Sequence, residues 1–147
     1  FEVLEKETVN RDTISMIVKK RKLPDICGII SKKNDIATEV VETVKKYAKA
    51  GKIAIWGASH QGFTLCATTG IADYVDCIID SAPFKQGKYA PASHIPIISP
   101  DEARKRKLEA IIIVAPGYTN EIANIIKTTF ENGIDIYTLM TDRLSRI

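Results

Sequence analysis

The stretch Lys52–Asp80 limits what this chain can fold into more than any other. It opens Lys-Ile-Ala-Ile-Trp-Gly-Ala-Ser-His-Gln-Gly and closes on a second apolar run, Val75–Ile79, that ends in Asp80. The run Ile53–Trp56 predicts a short buried strand, and a glycine directly after it lets the chain turn tightly, because only glycine enters positive φ freely. An apolar, helix-like segment follows from Gln61 to Thr69, and Gly70 ends it. Strand, glycine turn, helix, strand and terminal acid together form the front of a nucleotide-binding β-α-β unit. The amides that open such a helix lack intrahelical partners and are free to bind an anion. The full dinucleotide fingerprint has a glycine at the middle position, where this chain has Ser59 between Gly57 and Gly62. A hydroxyl there can donate to a phosphate, yet it holds a closely seated dinucleotide away from the backbone.

The rest of the chain repeats the alternation. Asp35–Ala50 predicts a helix capped by Asp35, with Val40, Val41, Val44, Tyr47 and Ala48 at helical spacing and Gly51 closing its end. Ile95–Ile98 predicts a short strand. Ser99-Pro100-Asp101-Glu102 then supplies a serine cap, a proline at the first helical position and a glutamate in capping-box register. The run Ile111–Val114 is apolar on both faces, as a central parallel strand requires. Thr119–Asn132 predicts a helix and Ile134–Met140 a last strand. The fold class is therefore α/β, a Rossmann-like doubly wound sheet of about five parallel strands in order 3-2-1-4-5 with helices on both faces. Residues 35–147 form this nucleotide-binding domain. Residues 1–34 form an N-terminal, partly helical extension or linker from an upstream domain. In it Phe1–Glu5 alternates weakly, as a strand does, Asn10–Lys22 predicts a helix capped by Asn10 and stopped by Leu23-Pro24-Asp25, and Ile26–Lys33 is a loop or short turn.

Composition excludes several classes. A chain of 147 residues with 45% hydrophobic and 27% charged residues is ordinary for one globular domain. Its net charge of +3 is too small to point to nucleic acid. The clusters Lys19–Lys22 and Arg104–Lys107 fit solvated helix ends. No apolar run reaches the ~20 residues of a membrane span, and no signal-peptide pattern is present. Cys27, Cys66 and Cys77 form no Cys-x-x-Cys pair. With two histidines they predict reduced thiols in a cytoplasmic protein and no metal site. The opening Phe1 in place of methionine predicts a fragment or processed form.

Candidate site residues gather on the loops that leave the carboxyl ends of the strands. Gly57, Ala58, Ser59, His60, Gln61 and Gly62 make the glycine turn. The segment Ser81–Pro100 carries four of the six prolines and no acid, but does carry Lys85, Lys88 and His94. Amides after Gly57, the Ser59 hydroxyl and the two ammonium groups suit a diphosphate. Asp80 suits a ribose or sugar hydroxyl, and Tyr89 or Tyr118 suits a base as a stacking partner. His60 and His94 are each open to two readings, general acid or base, and a loop hydrogen bond. No catalytic group is assigned.

Gly57-Ala58-Ser59-His60-Gln61-Gly62, Gly70-Ile71, Val75-Asp76, Asp80, Pro83-Phe84-Lys85-Gln86-Gly87-Lys88-Tyr89, His94-Ile95-Pro96-Ile97 and Ser99-Pro100-Asp101-Glu102 resemble the C-terminal domain of S-adenosylmethionine-dependent sugar C-methyltransferases. The likeness runs from about Asp35 to about Glu131. It implies that a zinc-bearing segment and a methyltransferase domain precede this part and bind S-adenosylmethionine, so that this chain binds no cofactor itself. It also implies that this part holds the nucleotide diphosphate of a sugar substrate, is catalytically incomplete alone, and partners the upstream domain, with a homodimer as a further possibility. The family usually has lysine where Gln61 stands, asparagine where Phe63 stands and glycine at Ala92-Ser93. It also tends to carry a Trp-Asn or Asn-Phe pair near Gly117-Tyr118. Two other readings stay open: an NAD(P)- or nucleotide-sensing module, and a scaffold domain that binds another protein.

Overall fold

The computed structural model describes residues 1–147 except 12, 23–25, 49–51, 131–132 and 141–142. Two compact units divide the chain, Phe1–Ile30 and Ser31–Ile147.

The first unit corrects the sequence reading. Where a helix was expected from Asn10 to Lys22, the chain forms an antiparallel hairpin of β1 (Glu2–Val9) and β2 (Thr13–Lys19). Asn10 and Arg11 both take positive φ, 52° and 66°, so Asn10 reverses the chain instead of capping a helix. Ile14, Ile17 and Val18 fit a helical stripe by spacing. With Thr13 they are also β-branched, and stiff side chains favour the extended backbone. Every residue of both strands is exposed, so no clean in-and-out alternation marked them. The expected stop at Leu23-Pro24-Asp25 lies outside the described residues.

Helix α1 (Cys27–Tyr47) starts where a loop was expected over Ile26–Lys33. Asp35 consequently sits inside the helix and does not cap it. The amides of Ile29 and Ile30 both donate to the Ile26 carbonyl, at 3.0 and 3.1 Å. Val40, Val44 and Tyr47 are its buried stripe. The expected end at Ala50-Gly51 lies outside the described residues.

The second unit is built on one six-stranded sheet. Its strands are β3 (Ile53–Trp56), β4 (Val75–Ile79), β5 (Ile97–Ile98), β6 (Ala110–Ile113), β7 (Asp135–Leu139) and β8 (Leu144–Arg146), in the order β5-β4-β3-β6-β7-β8. The first five are parallel and run 3-2-1-4-5, as the sequence implies. The sixth was not expected. β8 pairs antiparallel with β7, and its Leu144 amide donates to Glu39 Oε2 at 3.0 Å.

Strand periodicity divides the core in two. Ile53 and Ile55 point to the face covered by α1 and by α2 (His60–Thr69), with Val40, Val44, Leu65 and Cys66. Ala54 and Trp56 point to the face covered by α3 (Pro100–Arg104) and α4 (Thr119–Thr129), with Ala103, Ile122 and Ile126. Successive strand residues alternate faces, so one run of four apolar residues feeds both layers. The start of α3 is as read from sequence: Ser99 Oγ accepts from the Glu102 amide at 3.1 Å and Pro100 takes the first turn. Gly70, at φ 70°, ends α2. The expected last residue of α4, Asn132, lies outside the described residues.

Candidate functional site

Strand order reverses between β3 and β6, because β4 lies on one side of β3 and β6 on the other. At such a point the connections leave toward opposite faces and a crevice opens at the carboxyl ends of the strands. A cleft of about 550 Å³ lies there. One wall is the glycine turn and the start of α2, with Ser59, His60 and Gln61. The next is the loop after β4, with Asp80, Ser81 and Lys85. The opposite wall is the loop after β6 and the first turns of α4, with Tyr118, Glu121 and Ile125.

The glycines have separate reasons to be glycine. Gly57 turns off β3 at φ 126°, and a Cβ there would stand 2.8 Å from the Val114 carbonyl oxygen. Gly62 has ordinary helical backbone, but a Cβ would stand 2.3 Å from the Gly57 carbonyl oxygen. The two residues therefore bring the first turn of α2 hard against the end of β3. Ser59 caps α2 from an extended backbone, φ −123° and ψ 170°, and its hydroxyl faces the Gly62 amide at 3.5 Å. His60 and Gln61 line the cleft, and their amides stand in the first turn of α2, at positions without intrahelical acceptors.

Asp80 and Lys85 meet. Asp80 Oδ2 accepts from the Ala58 amide at 2.8 Å and from Lys85 Nζ at 3.0 Å, and Oδ1 accepts from the Ala82 amide at 2.9 Å. Lys85 Nζ also donates to the Ala58 carbonyl at 2.8 Å, and Gln86 Nε2 donates to the Asp80 carbonyl at 3.0 Å. These bonds latch the loop after β4 onto the glycine turn. The two sequence features expected to share one rim do share it. The chain's own carboxylate, however, occupies the first amide of the turn, and its own carboxylate and carbonyl hold the Lys85 ammonium.

Of the residues singled out from sequence, Ser59, His60, Gln61, Asp80, Lys85 and Tyr118 line the cleft. Gly57, Ala58 and Gly62 shape the turn behind it. Lys88, Tyr89 and His94 do not line it. They are exposed farther along the same loop, where Gly87 and Ala90 amides bond to the Ile97 and Ile95 carbonyls, and His94 takes a positive φ of 54°. None of Trp56, Glu121, Ile122 and Ile125 was singled out from sequence as a site residue. All four line the cleft. The hydrophobic spacing of α4 marked its buried side, but nothing local says that its first turns rim a crevice.

The two buried thiols are chemically quiet. Burial pushes Cys66 up to about 11 and drives Cys77 well above the usual thiol range, so neither supplies a thiolate near neutral pH. Among the described residues no helix is long and apolar enough to cross a membrane, and no three His, Cys, Asp or Glu side chains are grouped to hold a metal ion.

A doubly wound sheet with a glycine turn at its reversal point defines a Rossmann-like α/β domain. The family profile described as C-methyltransferase C-terminal domain matches residues 30–140. The chain belongs to that family. It is 32% identical over 100 residues to the C-methyltransferase NovU of Streptomyces niveus. That alignment covers 67% of this chain but 24% of the relative, so the chain spans about a quarter of the length of the curated relative it matches. UDP-D-quinovosamine 4-dehydrogenase from Vibrio fischeri is similar at 15% identity and a TM-score of 0.48, over 65% of this chain and 92% of that one.

Proposed function

We propose that this C-methyltransferase C-terminal domain holds the nucleotide diphosphate part of a nucleotide-sugar, while an upstream domain carries S-adenosylmethionine and transfers the methyl group. On this reading the chain is a substrate-holding piece that works in the cytoplasm. The observation that carries the reading is the cleft at the strand reversal, lined by Ser59, His60 and Gln61 at the start of α2. A diphosphate oxygen suits unpaired helix-start amides, which offer fixed donors and the positive end of the helix dipole. A hydroxyl, an imidazole and a primary amide alongside can complete its shell. Lys85 stays paired with Asp80 and holds the loop after β4 in place beside that shell.

Calorimetric titration of the folded chain with nucleoside diphosphates and their sugars tests this. The expected result is saturable heat at one site per chain. Absence of heat with every such ligand, while circular dichroism shows the chain folded, removes the proposal. Added NADH separates the sensing reading: a saturable blue shift of its fluorescence would favour a dinucleotide over a nucleotide-sugar.

A further inference from the structure

The two halves of the cleft differ in chemistry, and the difference fixes which way round a ligand lies. On the β4 side, Asp80 accepts three hydrogen bonds and Lys85 makes two, all within the chain. The Asp80 side chain is 12% exposed. That wall has little capacity left for the hydroxyls of a ribose. Phe84 and Tyr89, the aromatic residues on its loop, are exposed but do not line the cleft.

The β6 side is the reverse. Tyr118 is 66% exposed and lines the cleft, and its backbone is pinned by its own amide, which donates to the Ala115 carbonyl at 2.9 Å. Below it lie Ile122 and Ile125, with the buried Trp56 against Phe130 at 5.9 Å between ring centroids. Glu121 contributes a carboxylate at the same wall. A carboxylate repels a diphosphate but accepts readily from a sugar hydroxyl or a ring N–H. An open aromatic face beside apolar side chains suits a flat ring.

We infer that the cleft is polarised: the diphosphate end lies on the α2 side, and the nucleoside end lies against Tyr118, Ile122 and Ile125 with Glu121 as its hydrogen-bond acceptor. Tyr118 and Glu121 are the specificity-determining residues, and Asp80 is a positioning residue and not the ribose acceptor. This rests on the nucleotide-diphosphate reading above.

The test uses the full chain and two probes, uridine diphosphate and inorganic diphosphate, measured by calorimetry and by fluorescence of the single tryptophan, Trp56. Tyr118→Ala should weaken uridine diphosphate roughly tenfold or more, as loss of base stacking does, and leave inorganic diphosphate within about twofold. Tyr118→Phe should restore affinity for uridine diphosphate, because it keeps the ring. Glu121→Ala should weaken uridine diphosphate severalfold and not weaken inorganic diphosphate. Both positions are exposed, so the folds of the variants can be compared directly by circular dichroism. If the parent chain binds uridine diphosphate and neither alanine variant changes it, the orientation is wrong while the diphosphate reading stands. Parallel loss of both probes in Tyr118→Ala also overturns the orientation. No binding of inorganic diphosphate or of any nucleoside diphosphate by the parent chain overturns both.

Discussion

Alanine at Gly62 would place a methyl carbon 2.3 Å from the Gly57 carbonyl oxygen. That is about 1 Å short of an ordinary non-bonded contact. Neither partner is a flexible side chain. The Gly57 amide is tied to the Ile79 carbonyl at 2.9 Å, and the residue itself is packed against Val114. The first turn of α2 must therefore move away from β3. In doing so it draws Leu65 and Cys66 off the core and carries Ser59, His60 and Gln61 with it. Overpacking of this kind costs about 1–3 kcal/mol, and a backbone-to-backbone clash belongs at the upper end. The better helix propensity of alanine returns up to ~1 kcal/mol, less in a first turn. A net loss of about 2–3 kcal/mol corresponds to a fall in Tm of about 6–12 °C for a chain of this size. Gly28→Ala is the control, since a Cβ there meets nothing within 4 Å and should leave Tm unchanged or slightly raised. Scanning calorimetry or thermal circular dichroism reads both. If Gly62→Ala melts within about 2 °C of the parent chain, close approach of α2 to β3 is not what keeps glycine at that position.

Two more outcomes follow from strained or coupled groups. Ala92 stands at φ 62°, where an alanine costs roughly 1–2 kcal/mol relative to its preferred regions. Ala92→Gly should raise the urea midpoint by an amount equivalent to about 0.5–1 kcal/mol after glycine's larger unfolded-state entropy is subtracted; no increase would mean the turn is relaxed as it stands. Tyr47 OH donates to Asp135 and lies 3.1 Å from Tyr137 OH. Burial, followed by the bond to Asp135, pushes the Tyr47 phenol well above its usual range. The bond from Tyr47 holds the Asp135 carboxyl below its usual range. A raised phenol contributes stability that is fully present below about pH 10 and is lost as pH rises beyond it. A depressed carboxyl contributes stability that is present above about pH 4 and is lost as pH falls through its folded value. The stability gap between the parent chain and Tyr47→Phe, measured in urea, should thus narrow on both limbs; a gap constant from pH 3 to 11 would show that the phenol and carboxyl do not titrate as a pair.

The features legible in sequence were those whose causes are local. Ser99-Pro100-Glu102 starts a helix through contacts three residues apart, and Ile53–Trp56 feeds both core layers through its own alternation. The glycine turn and the loop after Asp80 were placed correctly on one rim because a parallel sheet sends all its carboxyl-end loops the same way. The second strand of the hairpin, Thr13–Lys19, was read as helix because no residue of either strand is buried, which removes the face-to-face contrast that marks a strand. β8 is three residues long and held through Glu39, more than a hundred positions away. In the site, the residue types at positions 80 and 85 were readable but their mutual bond was not, since Asp80 and Lys85 lie on a loop whose path depends on Gly87 and Ala90 pairing with β5 and its approach. Glu121 and Trp56 became cleft residues only when α4 crossed the end of β3.

If the cleft takes the proposed ligand, the latch between Asp80, Lys85 and Ala58 also bears on the kinetics and entropy of capture. A segment rich in proline and already tied down at both a carboxylate and an ammonium has little freedom left to surrender when a guest arrives. Immobilising loose side chains ordinarily subtracts about 0.5–1.5 kcal/mol each from an association. Here that cost was met during folding, so on the proposed reading this wall of the cleft would act as a rigid receptor, with encounter set by diffusion and alignment more than by loop rearrangement.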